Sequence, residues 1–114
     1  MVAPNPEFIA AVQETARENG VLVIADEILN LRQSFRGASA RYGLIPDIVT
    51  MGKIIGGGMP IGAIGGREDV MDVFDASSGQ PLLPQGGTFS ANPLSMRAGV
   101  AAMQHLTPGC FLTS

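Results

Sequence analysis

Two charged residues in this sequence are placed to do chemistry. Lys53 is the only lysine in a chain of 114 residues; the other six basic residues are arginines. It opens a stretch, TMGKIIGGGMPIGAIGG from Thr50 to Gly66, in which six glycines follow it within thirteen positions. A lysine amine has a pKa near ~10.4, so at neutral pH it is a weak nucleophile. Desolvation, or condensation with a carbonyl compound, is how proteins put one to use. Glycines beside it allow a ligand to approach the backbone closely. The second residue is Asp26, which ends an apolar run with Glu27 directly after it. A carboxylate at the end of a buried strand needs a cation or several donors, because burying it alone is costly. Asp26 and Lys53 could pair with each other, or they could grip the two ends of one ligand.

Other chemistries fit poorly. A phosphate loop needs Gly-x-x-x-x-Gly-Lys followed by Ser or Thr. Here Ile54 follows Lys53, and Asp47 stands five before Gly52. His105 is the only histidine and reads as a surface or packing residue, so no Ser/His/Asp triad assembles. Cys110 is the only cysteine, which leaves no disulfide framework and no cysteine zinc site, and it reads as inert. The net charge of −3, with no basic run, argues against nucleic-acid binding. No apolar stretch approaches the ~20 residues of a membrane span. The start, MVAPNPEF, lacks the basic and apolar regions of a signal peptide, and a reducing, cytoplasmic setting fits.

Elements that could hold these residues follow from local signals. Asn5 and Pro6 predict a helix start, with Phe8, Ile9, Val12 and Ala16 on one face and Gly20 as the stop. Val21 to Ala25 reads as a strand buried on both faces. Leu29 to Leu44 reads as loop with a helical turn. A second strand is expected over Ile48 to Met51 and a third over Ile61 to Ile64. Nine residues separate those two, fewer than a parallel crossover needs, so if paired they must run antiparallel. A short helix is expected over Asp69 to Phe74, with Val70, Val73 and Phe74 on one side, and a loop over Ser77 to Gly87. Asn92 and Pro93 predict a last helix to about Leu106, packing through Leu94, Ala98, Ala101, Ala102 and Met103. Ser90 and Asn92 are expected to act as capping residues, and Glu27 and Arg32 to form a structural pair. The mix points to α/β architecture. Only 15% of the residues are charged, against about 25% in an ordinary soluble domain, which implies that part of the surface is covered by more protein.

Three segments carry a resemblance: IADEI, LIPDIVTMGKIIGGGMPIGAIGGREDVM and GGTFSANPLSMRAG. Together they resemble the class-III pyridoxal-phosphate aminotransferases, most of all the branch of glutamate-1-semialdehyde 2,1-aminomutase, from about Pro4 to Leu106. The resemblance implies a partial fold type I large domain over residues 1–106, a mostly parallel sheet with one antiparallel strand, and an irregular tail over 107–114. It implies that Lys53 is the catalytic residue, forming the aldimine with pyridoxal phosphate. Asp26 would hold the protonated pyridine nitrogen, and Ile28 would pack on a face of the ring. Gly87 and Thr88 would contact the cofactor phosphate of a neighbouring subunit, which makes the protein a homodimer with a shared site. The residues alone also allow Ile28 to be ordinary core and Thr88 to open a turn. The substrate would be a small amino, keto or semialdehyde compound.

Family members are several times longer. The resemblance places their phosphate-binding loop and ring-stacking aromatic ahead of Met1 and a small domain after Leu106, so the chain reads as a central fragment. Asn30-Leu31-Arg32 departs from typical aminomutases and keeps an amino-acid or amine transaminase open as an alternative; the missing phosphate loop keeps open a second, an inactive chain acting as an interaction module. Arg32 could also read a substrate carboxylate.

Overall fold

The Asn5–Pro6 signal starts a helix as expected. In the computed structural model, which describes residues 3–111, helix α1 spans Pro6–Glu18, and Asn5 Oδ1 accepts the Glu7 amide at 2.8 Å. Its end is a Schellman motif. Gly20 takes φ 64°, its N–H donates to the Arg17 carbonyl, and the Val21 N–H donates to the Ala16 carbonyl. The apolar stripe is only partly used. Ala16 is buried and Ile9 half-buried, whereas Phe8 and Val12 are exposed. Gln13 faces inward instead. Its Nε2 donates to the Gly43 carbonyl and its Oε1 accepts the Ile45 amide, pinning the turn that leads to the next strand.

Strand β1 is shorter than expected, Ile24–Asp26, and β2 spans Ile48–Gly52. They pair in parallel, with Ile24 opposite Ile48 and Asp26 opposite Thr50. Strand β3, Gly62–Gly66, pairs with β2 antiparallel, as the short connection requires. The sheet order is β1-β2-β3. Burial of the first strand on both faces is not observed. Val21, Leu22 and Ile24 are exposed and only Ala25 is buried, and β1 stands at the edge of the sheet.

Between β1 and β2 lie a 3-10 turn, Leu31–Gln33, and a short helix α2, Gly37–Arg41. A 3-10 turn over Lys53–Gly56 follows β2 directly. After β3 comes α3, Glu68–Met71, with a 3-10 turn over Asp72–Phe74. Val70, Val73 and Phe74 are half-buried there, as their spacing predicts. Asp47 and Arg67 hold the far end of the sheet. Asp47 accepts the Val23 amide at 2.7 Å and pairs with Arg67, which also pairs with Asp69.

Residues 77–87 form the expected loop, and α4 spans Pro93–Met103, with Asn92 Oδ1 accepting the Ser95 amide. The helix unwinds before Leu106 through single turns ahead of Pro108. Its packing face matches the expected one at Ala98 and Ala102 but not at Leu94, Ala101 and Met103. Ser95 and Gly99 are buried and Ala98 and Ala102 half-buried, whereas Leu94 and Met103 are exposed. These small residues let α4 lie directly on the Lys53–Gly56 turn. Ser90 does not cap the helix; its amide closes a turn onto the Gly87 carbonyl. The tail is less irregular than expected, with a 3-10 turn over Pro108–Phe111. Cys110 lies exposed in it, and a hydrogen bond with Thr107 holds its thiol below the usual range. Residues 1–2 and 112–114, at the ends of the two expected spans, lie outside the described residues.

The molecule is a slab of 42 × 39 × 22 Å, and its radius of gyration of 16.1 Å exceeds the ~13 Å of a compact domain of this size. Its buried apolar residues are Ala16, Ala25 and Ala38, so the core is thin. Among the described residues, no helix is long and apolar enough to cross a membrane.

Candidate functional site

Parallel pairing puts the ends of β1 and β2 on one rim of the sheet. Asp26 is the last residue of β1, and Lys53 follows the last residue of β2. Both line one cleft of about 440 Å3 with Ile28, Leu29 and Asn30. That volume lies within the range of small-molecule sites.

The two charges do not pair. Among the described residues Lys53 makes no ion pair, and the Asp26 carboxylate accepts only the Ile28 amide, at 3.1 Å. The simple ion-pair reading is therefore excluded. An acid and an amine thus line one cleft unpaired, together with the apolar side chains of Ile28 and Leu29.

The backbone aims Lys53 deliberately. Its φ is 48°, in the left-handed region that a side chain disfavours, and such positions cluster where function needs them. The turn that carries it is backed by α4: a Cβ on Gly99 would strike the Ile55 carbonyl oxygen. Ser95 Oγ donates to the Pro60 carbonyl at 2.7 Å, tying the same helix to the far end of the glycine stretch. Ile28 is 36% exposed and its Cγ2 would lie 3.5 Å from a Cβ on Gly52, so it roofs the peptide before Lys53 and is not ordinary core.

Gly87 and Thr88 line a separate cleft of about 580 Å3, with Pro60, Gly62 and Ser95. Within one chain they are not part of the Asp26–Lys53 cleft. Thr88 stands exposed in the turn before α4.

Three polar residues beside the cleft were not legible as site residues. Glu27 is 2% exposed, and its carboxylate accepts the Ala38 and Ser39 amides at 2.7 Å each. It does not pair with Arg32, which is exposed; two backbone amides inside the fold outcompete a solvated guanidinium. Asn30 Oδ1 and Thr50 Oγ1 are buried without a partner among the described residues. Asn30 lines the cleft and Thr50 is the cross-strand neighbour of Asp26. Such atoms cost roughly 1–3 kcal/mol each while they stay unsatisfied. A larger cleft, about 690 Å3, lies at the opposite end of the sheet beside Asp47 and Arg67, whose charges are already paired.

Comparison with known proteins bears on this geometry. Residues 1–113 match the family described as Aminotransferase class-III. Glutamate-1-semialdehyde 2,1-aminomutase from Sorangium cellulosum is 47% identical over 113 residues, covering 96% of this chain and 25% of that protein. An omega-transaminase from Sphaerobacter thermophilus superposes with a TM-score of 0.90 at 46% identity, over 95% of this chain and 25% of that one. A transaminase with PLP bound also gives 0.90, at 42% identity, over 95% of this chain and 26% of that one. The chain thus spans about a quarter of the length of these relatives.

Proposed function

Because this chain belongs to the class-III aminotransferases, a family of pyridoxal-phosphate enzymes, we propose that it forms the lysine-bearing centre of an enzyme that transfers an amino group. The reaction we assign is of the glutamate-1-semialdehyde 2,1-aminomutase type. The observation that carries the reading is the single cleft in which Asp26 and Lys53 stand unpaired.

The residues present fit the cofactor. An anion suits a protonated ring nitrogen, an amine suits an aldehyde, and Ile28 and Leu29 offer an apolar wall to a flat ring. Asn30, whose Oδ1 has no partner among the described residues, lines the same cleft. When bound, pyridoxal phosphate supplies an electron sink for the substrate carbon that loses its proton.

The chain's own residues do the rest. Asp26 holds a proton at the pyridine nitrogen through a charge-assisted hydrogen bond of about 1.5–3 kcal/mol. Lys53 Nζ would hold the cofactor at its aldehyde carbon and would carry a proton to and from the substrate carbon. Ile28 orients the ring from one face. Gly87 and Thr88, outside this cleft in a single chain, are assigned to the phosphate group bound by a second subunit. On that assignment the working enzyme is a homodimer; the family supports a small amino, keto or semialdehyde substrate, and we place the enzyme in the cytoplasm. The likeness to two transaminases at a TM-score of 0.90 supports a second reading, transamination between separate substrates.

Two measurements separate these readings. Pyridoxal phosphate added to the chain should give a visible absorption band that Lys53→Ala abolishes; the same spectrum for both proteins would point to an inert interaction module. In the full-length enzyme, isomerisation of a semialdehyde without a second amino acceptor selects the mutase, and a strict need for an acceptor selects the transaminase.

A further inference from the structure

Glu27 is the most deeply buried acid among the described residues, and the chemistry above does not use it. It makes four hydrogen bonds to three parts of the fold. Its N–H donates to the Thr50 carbonyl on β2 at 3.0 Å, and its carbonyl accepts the Leu31 amide at 3.0 Å. Oε2 accepts the Ala38 amide and Oε1 the Ser39 amide, both at 2.7 Å. The sequence makes room for this. Gly37 takes φ 85°, and a Cβ there would meet Oε2 at 2.5 Å. Ser34 Oγ donates to the Gly37 carbonyl at 2.6 Å and closes the bend. The segment caught between these anchors contains Ile28, Leu29 and Asn30, three of the five residues that line the Asp26–Lys53 cleft.

We propose that Glu27 is a positioning residue: by gripping the first amides of α2 it fixes the 28–36 loop as one wall of the cofactor cleft. This rests on the reading of that cleft as the pyridoxal-phosphate site. A carboxylate with two amide donors is strongly held, and it shapes the wall before any ligand arrives.

Glu27→Gln keeps the shape but turns an amino group toward one of the two amides. Glu27→Asp keeps the charge but shortens the reach, and it carries the test if the first variant loses its far-UV circular dichroism. Two quantities are read on the whole chain. Amide hydrogen exchange at Ala38 and Ser39, without cofactor, should quicken about tenfold or more. The pyridoxal-phosphate concentration that half-saturates the visible band should rise by a similar factor, with the band still dependent on Lys53. Asp69→Asn, which breaks an exposed ion pair away from the cleft, should change neither. Unchanged exchange at Ala38 and Ser39 overturns the grip. Faster exchange with wild-type half-saturation overturns the positioning role alone. A wild-type chain with no Lys53-dependent band overturns the cofactor reading and this role together.

Discussion

Gly99→Ala should destabilise this protein, although the same change in most helices stabilises. Alanine is favoured over glycine in a helix interior by about 1 kcal/mol. Here α4 packs so closely on the Lys53–Gly56 turn that a Cβ on Gly99 would strike the Ile55 carbonyl oxygen, and one on Gly57 would strike the Ala98 carbonyl oxygen. The obstacle is main chain on both sides, so neither partner can turn aside as a side chain would. Overpacking costs about 1–3 kcal/mol, and a backbone obstacle belongs at the upper end. Set against the helix gain, the net loss is about 2 kcal/mol, a fall in Tm of roughly 5–15 °C. Thermal unfolding followed by circular dichroism reads it. Gly62→Ala is the control: nothing lies within 4 Å of a Cβ there, so its Tm should barely move. A Tm for Gly99→Ala at or above wild type would refute the reasoning. Ile55 shares its turn with Lys53, so the variant should also weaken the Lys53-dependent absorption band.

Ser95→Ala removes the donor to the Pro60 carbonyl from a residue 2% exposed, and urea unfolding should show a loss of about 1–3 kcal/mol. A change under about 0.5 kcal/mol would place Ser95 with ordinary surface residues. The Arg67 guanidinium holds the Asp69 carboxyl below its ordinary value. An acid depressed in the fold adds stability above its unfolded pKa of about 3.9, and that contribution is lost as pH falls through the folded value. Asp69→Asn should therefore lower stability slightly at neutral pH and merge with wild type once the carboxylate is protonated, which flattens the acid limb below about pH 4. Because the pair is exposed, salt should shrink the difference.

The parts of the fold legible in the sequence are those with a local cause. Asn5–Pro6 and Asn92–Pro93 name helix starts through a side-chain cap and a fixed φ. The nine-residue connection forces β3 antiparallel because no parallel crossover is that short. That Asp26 and Lys53 line one cleft was legible because one ends a strand and the other directly follows one, and parallel pairing brings those ends to one rim. What escaped depends on distant contacts. Ala98 and Ala102 pack as expected, but hydrophobicity also suggested Leu94, Ala101 and Met103, which are exposed, and missed Ser95 and Gly99, which close backbone approach buries. Glu27 looked like half of an ion pair with Arg32, because sequence shows neighbouring charges but not amides eleven and twelve residues on. Val21 and Leu22 have strand composition, but with no strand beside them they stay outside the sheet.

The central claim is that the Lys53 amine was built to bind an aldehyde beside Asp26. Reduction with borohydride in the presence of pyridoxal phosphate, followed by tryptic mass mapping, tests it directly. Lys53 is the only side-chain amine, so the account predicts cleavage blocked at that residue and the cofactor mass on one peptide running from Tyr42 to Arg67. Cleavage after Lys53 at the unmodified rate, with label only on the amino-terminal peptide, would contradict it.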